Sequence, residues 1–172
     1  TLVALDAQAV IAGSNGKRSV PLAEFFVGPR RTVLKADELL VEIVIPKANL
    51  GKPAHFLKTG LRKGQALALV NAAGSLWVDA KKNTCRDVRI ALGAVAPTVI
   101  RATTAEKFLE GRAATPENCA EAGRLAVEDA RPISDMRASA EYRRDLVAVL
   151  TKRVLEAACA QGCITKPKGT RK

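Results

Sequence analysis

Three basic side chains, Lys58, Arg62 and Lys63, precede a run of small and apolar residues, Ala66-Leu67-Ala68-Leu69-Val70, that reads as a buried strand. Cations fixed at the mouth of such a strand can stabilise negative charge on a ligand, because Coulomb attraction strengthens where water is partly excluded. A second group, Asp135 and Arg137 with Tyr142, Arg143 and Arg144, has the composition of an acid–base site. Carboxylate–guanidinium pairs are also common structural clips, and here they read as fixing the loop into the last helix. His55 is the single histidine, which excludes a histidine-based metal site or a nucleophilic triad. Of Cys85, Cys119, Cys159 and Cys163 only the last two are close, so neither a zinc nor an iron–sulfur ligand set is present. They read as buried or spectator thiols of a reducing compartment. Trp77 reads as packing.

The elements that must hold these residues are strands first and helices last. Asn15-Gly16 predicts a hairpin, since this pair readily supplies the positive φ values of a tight turn. Glu38 to Ile45 alternates strictly, with Leu39, Val41, Ile43 and Ile45 on one face and Leu40, Glu42 and Val44 on the other, and Pro46 ends it. Further strands are expected over 54–59, 67–78 and 86–95, the last packed mainly on one side. Thr103 or Thr104 is a candidate cap for a helix stopped by Gly111, and Thr115-Pro116 opens another. Ser139 caps the last helix, whose expected apolar stripe is Tyr142, Leu146, Val149, Leu150, Val154 and Ala157. The order implies an α+β fold, an antiparallel sheet with about three helices on one face.

At 172 residues the chain can bury a core without metal or disulfide help. No apolar run approaches the roughly 18 residues of a membrane helix, and no export signal is legible, so a soluble, cytoplasmic protein is the expectation. The net charge of +11 invites a nucleic-acid reading, but four of the 28 basic residues lie in the tail after Thr165. Aromatic residues make up only 3%, too few for base-stacking platforms, which argues against a nucleic-acid partner.

Several phrases in order carry a resemblance. They are Gly16-Lys17-Arg18-Ser19-Val20-Pro21-Leu22, Phe25-Phe26-x-Gly28-Pro29, Asp37-Glu38-Leu39-Leu40, and Phe56-x-Lys58 with Arg62 ahead of Leu69-Val70-Asn71-Ala72-Ala73. Leu92-Gly93-Ala94-Val95-Ala96-Pro97-Thr98 and Ser134-Asp135-Met136-Arg137-Ala138-Ser139-Ala140-Glu141-Tyr142-Arg143 follow. Together they resemble the FAD-binding (medium) subunit of the xanthine dehydrogenase and carbon monoxide dehydrogenase family of molybdenum hydroxylases.

The resemblance implies the last strands of an FAD-binding domain over 1–46, a C-terminal domain over 47–165, and a basic tail over 166–172. It implies FAD as cofactor, with Leu40 packing by the isoalloxazine ring and Lys58 reaching it. Molybdopterin and 2Fe-2S clusters are implied on partner subunits, alongside an N-terminal FAD-binding segment. The family's glycine-rich phosphate-binding segments would precede Thr1, so a fragment or split subunit, not catalytically competent alone, is expected. The loop Arg62-Lys63-Gly64-Gln65-Ala66 lacks the acidic residues of NAD-using members, which leaves the electron acceptor open. Two other readings stand beside this one: a cofactor-free assembly module and a basic nucleic-acid-binding domain.

Overall fold

The hairpin turn and the alternating strand at 39–44 build the first layer of the computed structural model, which describes residues 1–162. After a 3-10 turn at Val3–Leu5 come β1 (Gln8–Gly13), β2 (Gly16–Pro21), the single helical turn α1 (Leu22–Phe25), β3 (Phe26–Gly28), β4 (Arg31–Thr32) and β5 (Leu39–Val44). They form an antiparallel sheet in the order β2-β1-β5 and a two-stranded ribbon of β3 and β4. The positive φ of the hairpin falls on Gly16 (99°) and not on Asn15, with Gly13 paired to Gly16.

The second sheet is antiparallel in the order β6 (Ala54–Gly60), β7 (Ala68–Asp79), β8 (Thr84–Gly93) and β9 (Ile100–Arg101). Helices α2 (Thr103–Leu109), α3 (Pro116–Asp129) and α4 (Ala140–Gly162) cover one face. The main core lies there, between Val70, Ala72, Leu76, Ile90 and Leu92 of the strands and Leu109, Ala122, Val154 and Leu155 of the helices. The fold is the expected α+β arrangement with helices on one face.

Four local expectations are corrected. The sheet is packed on both faces, because Ala73 and Ala91 on its other face join Val3, Ala4, Ile11 and Phe25 in a second core. The expected apolar face of β5 is not buried; Leu39 is 72% and Val41 50% exposed. In α4 the buried stripe is Arg143, Val147, Leu150, Thr151, Val154, Leu155 and Ala158, while Tyr142 and Val149 face outward. Neither Thr103 nor Thr104 caps α2; the Thr104 N–H donates to Asp129 Oδ2 of α3 at 3.0 Å. Thr115 does cap α3, accepting from the Asn118 N–H, and Ser139 Oγ accepts from the Tyr142 N–H at the start of α4.

Cys85, Cys119 and Cys159 are buried in the main core, and Cys163 lies outside the described residues. A hydrogen bond to Cys159, reinforced by burial, pushes both the Cys85 and the Cys119 thiol up. The same hydrogen bonds, that with Cys119 foremost, lower the Cys159 thiol, so the three form one buried, hydrogen-bonded cluster.

Candidate functional site

Strand pairing fixes where Lys58 can point. It stands in β6 directly opposite Asn71 of β7, and Phe56 opposite Ala73. Directly opposed residues of an antiparallel pair share a face, so Lys58 belongs to the face that Asn71 and Ala73 present toward the N-terminal layer. The Lys58 Nζ donates to the Ala66 carbonyl at 3.2 Å, and Arg62 Nη2 to the Gln65 carbonyl at 3.2 Å. Both cations thus fold the 61–66 loop over the strand end, and among the described residues neither has a carboxylate partner. Lys63 is exposed in the same loop.

Leu40 reaches that face by a register shift. Val10 pairs with Glu42 but Ile11 pairs with Leu40, so Val41 is an extra residue opposite β1. A bulge of this kind breaks strict alternation. Leu40, opposite Ile11, and Ile43, opposite Ala9, therefore share one face, contrary to the expectation that they lie on opposite faces. Both line a cleft of about 440 Å³ together with Leu2, Phe26, Asn71 and Ala73.

Asn71 is the polar group that the sequence reading did not single out. It is half-buried on the floor of this cleft, beside Lys58 in register, and its carboxamide makes no hydrogen bond among the described residues. Gly93, its partner on β8, leaves the room it occupies: a Cβ there would lie 2.5 Å from Asn71 Oδ1. The signal in the sequence was a lone amide inside the apolar run 66–73, paired with a glycine. Lys58 itself does not line this cleft; Asn71 lines it with Leu40 and pairs with Lys58. The arrangement offers an apolar slot, one donor–acceptor amide and an adjacent cation, which suits a flat ligand with an apolar and a polar end.

The Asp135 group is a clip, as expected. The Asp135 carboxylate accepts from the backbone N–H of Arg137 and Ala138 and from the guanidinium groups of Arg137 and Arg143, both at 2.8 Å. These donors, the Arg137 N–H foremost, hold its pKa well below the usual carboxylate range. Arg143 is 3% exposed and donates onward to the carbonyls of Leu69 and Ala94, tying α4 to β7 and to the turn after β8.

Comparison with known proteins identifies the family of the chain. The model of the CO dehydrogenase flavoprotein C-terminal domain matches residues 55–158, and that of the FAD binding domain in molybdopterin dehydrogenase matches residues 1–48. The carbon monoxide dehydrogenase medium chain of Hydrogenophaga pseudoflava is 33% identical over 92% of this chain and 54% of its own length. The xanthine dehydrogenase FAD-binding subunit of Escherichia coli O157:H7 is 31% identical over 90% of this chain and 53% of its own. The chain thus spans about half the length of the curated relatives it matches. Among solved structures, quinoline 2-oxidoreductase from Pseudomonas putida 86 superposes with a TM-score of 0.82 at 35% identity, over 94% of this chain and 55% of that one. Carbon monoxide dehydrogenase from Hydrogenophaga pseudoflava gives 0.85 at 35% identity, over 92% and 54%. With its longest match covering more than half of its residues, the chain belongs to the CO dehydrogenase flavoprotein C-terminal domain family, and a segment matching the FAD-binding domain precedes that match.

Proposed function

We propose that this chain forms the ring-side wall of an FAD site in the flavin subunit of a molybdenum hydroxylase. The observation that carries the reading is the apolar cleft under Leu40 with an unpaired Asn71 carboxamide on its floor and Lys58 beside it. Isoalloxazine has an apolar dimethylbenzene end and a polar pyrimidine end, and the cleft offers an apolar wall and an amide to match. Leu40 and Ile43 exclude water from one side, Asn71 orients by donating and accepting, and the Lys58 ammonium stabilises negative charge gained on reduction. Bound FAD supplies the redox chemistry, receiving electrons from iron–sulfur clusters and passing them to an external acceptor. The partners in this reading are the N-terminal FAD-binding segment, an iron–sulfur subunit carrying 2Fe-2S clusters and a molybdopterin subunit. The relatives' names, medium chain and FAD-binding subunit, support such a hetero-oligomer. A cytoplasmic setting belongs to the same proposal.

The test is a redox titration of the flavin-loaded protein. Lys58→Met should lower the flavin potential by about 30 mV, equivalent to about 1.4 kcal/mol for a two-electron couple. FAD occupancy should be preserved. An unchanged potential at full occupancy would return Lys58 to a loop-fastening role.

A further inference from the structure

A second cleft, of about 540 Å³, opens where the turn after β8 meets the 131–137 loop and the first turn of α4. Its wall is apolar, built from Pro29, Ala68, Val95 and Pro97. Its charged lining is Arg131, Arg137 and Arg143, with Asp135 as the single carboxylate. That one anion serves two guanidinium groups, since both Arg137 and Arg143 donate to it. Among the described residues the Arg131 guanidinium donates only to the backbone carbonyls of Glu128 and Ala130. The cleft therefore carries two positive charges that no carboxylate among the described residues offsets. Arg143 adds a second mark of incompleteness: it is 3% exposed, yet its Nε has no acceptor among the described residues. A buried donor without a partner is costly, and native folds retain few of them. Arg137 also borders the adjoining hollow of Arg62 and Gln65, which extends the cationic rim.

We propose that this cleft binds a nucleoside diphosphate, its base lying on the Pro29, Val95 and Pro97 wall and its phosphates meeting Arg131 and Arg137. The size falls within the range of sites that enclose such a molecule. Planar guanidinium groups match phosphate oxygens two at a time, a geometry a lysine cannot give. A small dianion would leave the apolar wall in water, and an uncharged ring would leave the two cations without an anion. Leu40, Lys58 and Asn71 do not line this cleft, so the inference does not rest on the flavin reading.

Titration calorimetry of the full chain with ADP, adenosine and inorganic pyrophosphate tests it. ADP should bind at least about tenfold more tightly than either part, because the two halves of the cleft act together. Arg131→Gln and Arg137→Gln should each weaken ADP about fivefold or more through the lost charge-assisted bonds. Arg144→Gln, exposed on α4 and outside the cleft, should bind as wild type. Arg131→Gln leaves the Asp135 clip intact, so an unchanged thermal midpoint keeps its result free of misfolding. Asn71→Ala should leave ADP affinity unaltered. Absence of ADP binding, full affinity in Arg131→Gln, or pyrophosphate binding as tightly as ADP would overturn the proposal. A parallel loss in Asn71→Ala would place ADP in the other cleft and overturn it as well.

Discussion

Asn71 and Gly93 form one unit, and neither is intelligible alone. The carboxamide lies where a Cβ on residue 93 would be, 2.5 Å from Oδ1 and 2.9 Å from Nδ2. Gly93→Ala should therefore swing the amide out of the cleft without unfolding the sheet, because a short side chain yields more easily than backbone. Flavin retention through gel filtration of the loaded protein should fall in Gly93→Ala as it does in Asn71→Ala, with the thermal midpoint little changed. Retention equal to wild type in both would remove Asn71 from the ring site. Glu38 gives a pH-dependent test of a different residue. The hydrogen bond from Arg18, then that from the Lys35 N–H, depress the Glu38 carboxyl from 4.5 to about 2. A depressed acid stabilises the fold above its unfolded pKa and loses that contribution as pH falls toward its folded one. Thermal midpoints of wild type and Glu38→Gln should thus converge on acidification from 4.5 to about 2 and stay apart above it. At this scale the resemblance to a family named Leu40 and Lys58 as candidates, while Asn71, which lines the cleft with Leu40 and pairs with Lys58, could not be singled out, because which face an amide takes depends on strand pairing.

Elements were legible where a local signal sets them and illegible where a neighbour does. Thr115-Pro116 and Ser139 announce helix starts, and the caps are where the residues are. The bulge at Val41 leaves no trace in an alternating run, since it arises from pairing with β1. The stripe of α4 was misplaced for a related reason: a stripe drawn through apolar residues leaves out an arginine, yet Arg143 is buried by the carbonyls and carboxylate that accept from it. Rotating the stripe has a measurable consequence. Leu150→Ala, at a position 4% exposed, should cost about 2–5 kcal/mol in denaturant unfolding. Val149→Ala, 42% exposed on the same helix, should stay within about 0.5 kcal/mol. Equal costs would put the stripe back where periodicity alone sets it. The contact of α3 with α4 is tighter still. A Cβ on Gly123 would lie 2.5 Å from the Ala148 carbonyl, so Gly123→Ala must push the helices apart and should cost about 1–3 kcal/mol.

At the scale of the whole molecule, what matters is how rigidly the layer carrying Leu40 is held against the sheet carrying Lys58 and Asn71. Apolar contact is part of it, through the core that Ala73 and Ala91 share with Val3, Ala4 and Phe25. The rest is polar and converges on one turn. The Ala4 carbonyl accepts from Ser75 Oγ, the Leu5 carbonyl from Asn49 Nδ2 at 2.9 Å, and the Asp6 carboxylate from Arg89 and Arg101 at 2.8 and 2.9 Å. Charges alternate outward from there. Arg89 also meets Asp87, which holds the buried Lys52, and Arg101 also meets Glu106 on α2. Burial lowers the Lys52 pKa and Asp87 opposes that shift, so the ammonium there depends on its partner. Asp6 is the link that both arginines share, and it adopts a left-handed φ of 51°, a conformation aspartate tolerates better than alanine. Asp6→Ala would remove the carboxylate that the two half-buried guanidinium groups share, leaving Arg89 with Asp87 and Arg101 with Glu106, and put an alanine where φ is positive. We predict a loss of about 1–3 kcal/mol, the range for stripping partners from half-buried charged groups. The loss should be uneven across the molecule. Amide exchange should quicken in β1 and β5 while β7 and β8, held by the helices, keep their protection. Asp6→Asn, which can still accept from one arginine and suits the backbone, should recover part of both effects. Uniformly faster exchange in every strand would mean that the two layers unfold as one body and that Asp6 is no more than one contact among many.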